Sequence, residues 1–342
     1  MKKIISILLC VVMLFGSAMS VYALDETTID DIISAAAEYL YKTVSNPIVG
    51  ATGGEWTILG LSRSGEEIPN EYFRKYYSNV ESYVRECQGV LHSRKYTEYS
   101  RVVLALTAIG KNPENVAGYN LTAPLMDYEK TIRQGLNGPV WALIALDCGN
   151  YGNEEIREKY ISFILGRELE NGGFALTKNE TEVNIDVTAM TLVALSAYMD
   201  DENVKEAVNR AVSVLSDVQN ENGDFSLYGT ENPESAAQVL TAISALGISY
   251  EDTRFVKNGN SLVDNILSFY ISGEGFSHIK NTETDIMATE QSLYALVAAN
   301  RCKNGEKTLF DMSDKEQWSI EAFKGWNITE SLRQLRLLTV ER

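Results

Sequence analysis

The chain has 342 residues, with 47 Asp and Glu against 30 Lys and Arg, so its formal net charge is −17. Nucleic acids and anionic lipid surfaces carry the same sign of charge, which argues against both as partners. The sequence holds only two histidines and no Cys-x-x-C pair, so we predict neither a metal site nor a bound cofactor.

Residues 1–23 are predicted to be a secretory signal peptide. Lys2 and Lys3 give a basic start, an apolar stretch follows, and Ala23 supplies the small residue of a cleavage site. We therefore expect a mature, secreted chain of residues 24–342 that forms a single domain, stays out of the membrane after cleavage and is a monomer. An uncleaved membrane anchor is the alternative for this segment.

Two kinds of helix alternate along the rest of the chain. Amphipathic helices, with apolar residues at the spacing of one helical face, are predicted at residues 27–44, 70–87, 124–134, 154–168, 203–218 and 260–270. Nearly all-apolar helices between them are predicted at residues 55–64, 99–109, 139–148, 186–199, 233–246 and 288–299. A helix that is apolar on every side must be buried, whereas an amphipathic helix can face solvent.

Each apolar helix contains the same short phrase, a small residue followed by Leu. The six copies, which recur roughly every 40 to 50 residues, are Gly60-Leu61, Ala105-Leu106, Ala145-Leu146, Ala194-Leu195, Ala245-Leu246 and Ala295-Leu296. The repeat predicts six buried inner helices inside six outer helices, which is an all-α, α6/α6 barrel. An open solenoid is the alternative, because the period alone does not show closure. Residues 302–342 are predicted to be a helical extension packed against the barrel.

A second phrase precedes the later inner helices, and in it a glycine-containing turn ends in a phenylalanine. Its copies are Asn171-Gly172-Gly173-Phe174, Asn222-Gly223-Asp224-Phe225 and Gly273-Glu274-Gly275-Phe276. One copy reads Gln219-x-x-x-Gly223-x-Phe225, which resembles the Gln-Trp repeat of the terpenoid cyclase and protein prenyltransferase superfamily. Phe stands where that family has Trp, and the Gln is kept in this one copy. The resemblance implies an α/α toroid fold.

One branch of that superfamily implies a catalytic residue. Class II terpene cyclases carry Asp-x-Asp-Asp-Thr-Ala, and the segment 184–190 is similar, with Asp186 at the position of the acid that protonates the substrate. Asn184 and Val187 replace the flanking carboxylates, which would support an acid of that strength. The alternative is that Asp186 caps its helix.

Two other branches of that superfamily have motifs that this sequence lacks, and a third contains a helix that one segment of this sequence resembles. We find neither the zinc-binding set of the protein prenyltransferases nor the Cys-Gly-Glu-Gln motif of complement-like thioester domains. Residues 54–65 are similar to the first inner helix of the secreted cobalamin-binding toroid of intrinsic factor and transcobalamin. This similarity implies a corrinoid as a candidate ligand.

Polar side chains collect in the loops between each of these Phe residues and the next inner helix. In a toroid such loops open at one mouth, where the positive ends of the inner helices also meet. The residues predicted to form a ligand-binding mouth are Asn179, Glu182, Asn184, Asp186, Tyr228, Glu231, Glu234, His278 and Asp285. The alternative is that they are helix caps and solvated loop residues.

We therefore expect a secreted toroid that binds an unidentified small molecule or protein at the mouth without catalysis. A cyclase-like enzyme with Asp186 as general acid on an isoprenoid is one alternative, and an interaction module for the cell envelope is another. A glycosidase would need two carboxylates across the mouth. Asp186 with Glu234 or Asp285 is the pair that the sequence offers.

Overall fold

The computed structural model of the protein describes residues 28–226 and 231–315. The predicted signal peptide, the predicted mouth residue Tyr228 and the part of the predicted extension beyond Lys315 lie outside the described residues.

Twelve α-helices lie in the described part of the chain, and they alternate between an outer and an inner layer. The outer helices are α1 (Ile29–Thr43), α3 (Asn70–Glu86), α5 (Tyr128–Thr131), α7 (Glu154–Leu165), α9 (Glu202–Val218) and α11 (Leu262–Leu267). The inner helices are α2 (Glu55–Arg63), α4 (Thr97–Ala108), α6 (Asn137–Asp147), α8 (Ile185–Leu195), α10 (Pro233–Ala245) and α12 (Ile286–Lys303). The alternation agrees with the sequence prediction.

Two of the outer helices are shorter than their sequence pattern predicted. The segment expected as one helix at 124–134 is a single α-turn, α5, between the 3₁₀ turns Ala123–Met126 and Ile132–Gln134. Helix α11 spans only six residues. The Ser261 side chain caps its start, and Ser268 is its C-terminal capping residue. The apolar side chains of both segments are nevertheless directed into the core.

The ring of inner helices is closed. Each inner helix packs against the next one, and α12 packs against α2. Helix α1 lies over this last joint and contacts both of its helices. These contacts exclude the open solenoid and confirm the α6/α6 barrel.

The small-Leu phrase forms the contact surface between the inner helices. At the joint, a Cβ atom on Gly60 would lie 3.2 Å from Cδ2 of Leu293 on α12. Such a contact is tighter than most that real Cβ atoms make, so glycine permits this approach of the two helices. The phrase therefore specifies how closely the helices pack.

A buried carboxylate also crosses the joint between α12 and α2. Oε2 of Glu290 accepts hydrogen bonds from Thr57 Oγ1 at 2.8 Å and from the Gly53 backbone N–H at 3.1 Å. Burial raises the pKa of Glu290 to about 7, although both of these hydrogen bonds oppose the rise. The first and last repeats are thus joined through a group that titrates near neutral pH.

The phenylalanines of the three glycine-containing turns are fully buried. The Thr188 hydroxyl of α8 donates to the Phe174 carbonyl at 3.1 Å and accepts from the Phe174 N–H at 2.9 Å. Thr289 of α12 binds Phe276 in the same way.

The middle copy of this turn has no threonine, because Ala236 stands at the equivalent position of α10. There, the amide of Gln219 donates to the carbonyls of Gly223 at 3.0 Å and Phe255 at 3.1 Å. Gln219, the glutamine that resembles the family repeat, therefore occurs in the one copy where no hydroxyl of an inner helix holds the turn.

Candidate functional site

One end of the barrel is covered by the chain that follows α12. Residues 306–315, here called the plug segment, lie across the C-terminal ends of the inner helices. The Met312 N–H donates to the carbonyl of Cys148 after α6, and Lys315 Nζ donates to the carbonyl of Ser62 in the last turn of α2. Cavities of about 200 and 320 Å³ remain between the plug segment and the helix ends.

A buried arginine holds the plug segment in place. Arg63, the last residue of α2, is 2% exposed. Its guanidinium donates to the carbonyls of Leu309 at 3.1 Å, Thr308 at 2.9 Å and Asp311 at 3.0 Å. It also pairs with the Asp314 carboxylate at 2.6 Å. The plug segment thus satisfies this buried charge within the chain. Because it lies across the ends of the inner helices, the bore is closed at this end.

Aromatic rings line the bore above the plug. The rings of Trp56 on α2 and Trp141 on α6 have centroids 5.1 Å apart, and Trp56 lies 6.0 Å from the ring of Tyr294 on α12. Phe310 of the plug segment is 6.1 Å from Trp141 and underlies it. Nε1 of Trp141 donates to Sδ of Met190 on α8 at 3.1 Å. Both tryptophans are only partly buried, whereas Tyr294 is buried, so the floor of the mouth is aromatic and partly exposed.

Carboxylates lie on the other side of the mouth, at the starts of α8 and α10. Oδ1 of Asp186 is buried without a hydrogen-bond partner, and so is Oε2 of Glu234. Burial raises the pKa of Asp186, opposed by a hydrogen bond from Ser235. Burial also raises the pKa of Glu234, opposed by His278, whose Nδ1 lies 2.7 Å from Glu234 Oε1. The mouth therefore presents acceptor oxygens that no described side chain satisfies.

An amide completes this polar side of the mouth. Nε2 of Gln238 on α10 donates to the Tyr294 hydroxyl at 2.6 Å and lies 3.3 Å from Oε1 of Gln291 on α12. The amide thereby fixes the edge of the Tyr294 ring.

Two of the predicted mouth residues act as helix caps. Asn184 Oδ1 accepts from the Val187 N–H at 2.9 Å, and Asp285 Oδ1 accepts from the Ala288 N–H at 2.8 Å. The alternative that Asp186 caps α8 is wrong, because the helix begins at Ile185 and the capping position is the residue before it. Asp186 is left free to face the mouth.

The remaining predicted residues lie on the rim. Asn179 and Glu182 are exposed in the loop before α8. Glu231 pairs with Lys280 at 2.7 Å and accepts from the Asn222 amide at 2.9 Å. The structure therefore brings Asp186 and Glu234 toward the bore, pairs the exposed His278 with Glu234, and leaves the other loop residues at the edge.

Sequence reasoning missed the aromatic floor. Trp56 and Trp141 each stand five residues before the Leu of the small-Leu phrase, at Leu61 and Leu146. The available signal was a large aromatic ring at the same offset from the Leu in two of the inner helices. Gln238 and Tyr294 carried no comparable signal, because no other inner helix has the same residue at the same offset from the Leu.

No group of three or more His, Cys, Asp or Glu side chains in residues 28–226 and 231–315 is arranged to hold a metal ion. Within the same residues, no helix combines the length and the apolar character of a membrane span. The described cysteines, Cys87, Cys148 and Cys302, are free thiols.

A closed ring of six inner and six outer helices defines an α/α toroid. Residues 121–326 match the family described as the prenyltransferase alpha-alpha toroid domain, and the chain belongs to this family. The superfamily resemblance of the glycine-phenylalanine repeats is thereby confirmed. No curated protein matches the chain.

Solved structures with the same architecture include enzymes. The unsaturated glucuronyl hydrolase of Bacillus sp. GL1 superposes with a TM-score of 0.55 at 11% identity, covering 84% of this chain and 99% of that one. Protein geranylgeranyltransferase-I of Candida albicans, complexed with GGPP, superposes with a TM-score of 0.56 at 12% identity over the same shares. At these identities the likeness concerns the fold alone.

Proposed function

We propose that the protein is a secreted, monomeric toroid that holds a small-molecule ligand at the barrel mouth without carrying out a reaction. The observation that carries this proposal is the convergence of accessible aromatic rings and unpartnered carboxylate oxygens in a bore that is closed at its other end. Ligand sites in proteins are typically concave and largely apolar, with a few polar groups that fix orientation. The predicted signal peptide and the acidic charge accord with an exported protein that binds neutral or cationic ligands.

Asp186 is poorly equipped as the acid of an isoprenoid cyclase. Its pKa is raised by burial, whereas protonation of an alkene needs an acid whose conjugate base is stabilised. The Asn184 side chain is used as a helix cap, and Val187 is buried and apolar. Neither neighbour supplies the required support, so we assign Asp186 to ligand binding.

A thermal-shift panel of corrinoids, glycans and isoprenoids tests the proposal. We expect at least one class to raise the melting temperature, because a ligand that binds only the folded state stabilises it. Trp141→Leu should abolish the shift, whereas Tyr83→Leu, which removes an exposed ring on α3, should preserve it. No shift with any class would contradict small-molecule binding, and conversion of an isoprenoid to a cyclic product would establish the cyclase instead.

Docking of an envelope protein at the same face is a second candidate. The described large apolar side chains that are 38% to 56% exposed all lie where the outer helices end and the inner helices begin, at Ile48, Tyr83, Val90, Val218, Ile279 and Met287. Apolar side chains gathered on one face are typical of interaction surfaces. Cosedimentation with isolated cell envelopes, weakened by Ile279→Ser with Met287→Ser, would support this candidate, and sedimentation unaffected by the pair would count against it.

A further inference from the structure

We propose that residues 50–54, here called the rim turn, form a flap at the edge of the mouth that a proton on Glu290 keeps closed. Loss of this proton releases the rim turn from α12 while the rest of the ring stays folded. The inference concerns the joint between the first and last repeats. It involves no ligand, so it is independent of the proposed function.

Two buried carboxylates hold the rim turn from the inside. The Gly50 N–H donates to Oε1 of Glu55 at 2.9 Å, and the Gly53 N–H donates to Oε2 of Glu290 at 3.1 Å. Both glutamates are 2% exposed. The rim turn leads into the start of α2, and Gly50 lies beside Glu98 at the start of α4, so the turn is at the mouth end of the barrel. Its position at the mouth therefore depends on two acids.

The rim turn can open without its neighbours. The residues just before it are fixed to α3, where the Tyr72 hydroxyl donates to the Val44 carbonyl at 2.9 Å and the Asn79 amide donates to the Pro47 carbonyl at 2.7 Å. Neither of these bonds involves the rim turn. The turn itself contains only Gly, Ala and Thr residues, so its release exposes little apolar surface and costs little compared with global unfolding.

The groups closest to Glu290 do not offset a negative charge on it. The charges of Glu55 on α2 and of Asp285, which caps α12, act on Glu290 directly. The charge of Glu290 acts in turn on the phenols of Tyr72 on α3 and Tyr294 on α12, and both phenols have pKa values raised by burial first. Acids and neutral phenols thus surround this carboxyl.

The groups behind this first set do not supply a free cation either. They are, element by element, Tyr41 on α1, Asp186 on α8, Glu234 on α10, and Arg101 and Glu98 on α4. The one cation of this set, Arg101, acts on Glu55 and is bound to Glu98. An ionised Glu290 is therefore relieved by contact with water, which opening of the rim turn provides.

The direction of the pH effect follows from the two states of Glu290. Burial, together with the charges of Glu55 and Asp285, raises its pKa to about 7 in the closed state, from an ordinary 4.5. Exposure to water on opening returns the pKa toward the ordinary value. The closed state therefore binds the proton more tightly, so closure is most favoured below pH 4.5 and weakens as the pH rises to about 7.

Native-state hydrogen exchange of the full chain at pH 5 and pH 8, corrected for intrinsic exchange rates, tests this inference. We expect the rim turn to exchange faster than α6 at both pH values. Its opening constant should rise at least roughly tenfold from pH 5 to pH 8, because the proton is lost in this range. Equal protection in the rim turn and in α6 would overturn the inference, since Glu290 would then act on global unfolding alone. An opening constant that does not change with pH would overturn it as well.

Matched variants assign the effect to Glu290. Glu290→Gln is neutral at both pH values and its amide oxygen can still accept from Gly53, so it should lose most of the rise. Glu283→Gln, an exposed change just before α12, should keep the rise in full. If Glu290→Gln kept the full rise, another group would control the flap and the role of Glu290 would be wrong. Circular dichroism melts verify that each variant is folded.

A third variant opens the rim turn without changing the acid. Gly53 has a φ of +80°, and a Cβ atom there would lie 3.0 Å from both Cγ atoms of Val44. Gly53→Ala should therefore raise the exchange of the rim turn at both pH values while it retains the rise between them. If it raised the exchange of α6 by the same factor, the rim turn would not open as a separate unit and the inference would fail.

Discussion

At the plug end of the barrel a buried arginine is fully paired, whereas at the mouth two buried carboxylates are not. Arg63 donates to three backbone carbonyls and pairs with Asp314. Asp186 and Glu234 each keep a buried oxygen without a partner. Both ends hold charge away from water, but at the mouth the partners within the chain, Ser235 and His278, leave one oxygen of each carboxylate unsatisfied.

The difference extends to how acids titrate at the two ends. Burial alone would raise the pKa of Asp314, but the hydrogen bond and charge of Arg63 hold that pKa below its ordinary value. At the mouth, the effect of burial exceeds that of the hydrogen bonds and raises the pKa of Asp186, Glu234 and Glu290. Acids of the first kind stabilise the fold as pH rises, and acids of the second kind destabilise it. The charges at the plug end therefore add stability, whereas the buried carboxylates at the mouth cost some stability.

The largest expected effect comes from removing the paired charge. Arg63→Met keeps roughly the length of the side chain but leaves three carbonyls without their donor and Asp314 with Arg301 as its remaining partner, so we expect a loss of about 3–5 kcal/mol in the free energy of unfolding. Urea titration measures it. The control is Arg210→Met, which breaks an exposed pair with Glu168 and should cost at most about 1 kcal/mol. Similar losses in the two variants would mean that the plug segment is not held by Arg63.

The joint between α12 and α2 should make stability depend on pH. The pKa of Glu290 is about 7 in the folded protein against an ordinary 4.5. Between these values the folded state binds the proton more tightly, so stability falls as pH rises, by about 3 kcal/mol in all. Glu290→Gln is neutral throughout and its amide oxygen can still accept from Thr57.

Unfolding free energies at pH 5 and pH 8 measure this effect, and the fall between them should be smaller in Glu290→Gln than in the wild type. Glu158→Gln, an exposed change on the outer helix α7, should leave the fall as it is. An equal fall in the wild type and in Glu290→Gln would show that the joint does not titrate in this range.

The sequence was sufficient for the alternation of helices and for the buried turns, because both depend on local patterns. Hydrophobic periodicity distinguishes an inner helix from an outer one, and Gly with Phe marks each turn. Ring closure could not be predicted from local patterns, because it depends on the contact between α12 and α2, which lie at opposite ends of the set of repeats.

The candidate site was less predictable, because it depends on which face of each inner helix meets the bore. Trp56 and Trp141 lie in apolar runs and look like core residues until the ring is assembled. The observed start of α8 at Ile185 is one residue before the predicted start, and this was enough to confuse the cap, Asn184, with Asp186. The burial of Arg63 depends on a segment far along the chain.

The turns at the mouth should also depend on buried hydrogen bonds, because these bonds fix the loops that carry the candidate site. Thr188→Val removes the hydroxyl that both donates to and accepts from Phe174, leaving a buried N–H without an acceptor. We expect a loss of about 1–2 kcal/mol in the unfolding free energy. Thr181→Val changes an exposed residue of the same loop and should cost little. If the two losses were equal, the hydroxyl would not be what holds the turn.

The smallest expected effect is also the most direct comparison of the two ends, since one isosteric change can be made at each. Asp186→Asn at the mouth removes a charge that burial disfavours, and its raised pKa means that the charged form lowers stability as pH rises. We expect this variant to be more stable than the wild type at pH 8 by up to about 1 kcal/mol, as is common for substitutions at functional sites. Asp314→Asn at the plug end removes a charge that Arg63 stabilises, so it should be less stable. Urea titration of both variants at pH 8 gives the sign of the change in unfolding free energy for each. Opposite signs follow if burial disfavours the charge of Asp186 while Arg63 stabilises that of Asp314, and equal signs would remove the distinction between the two ends.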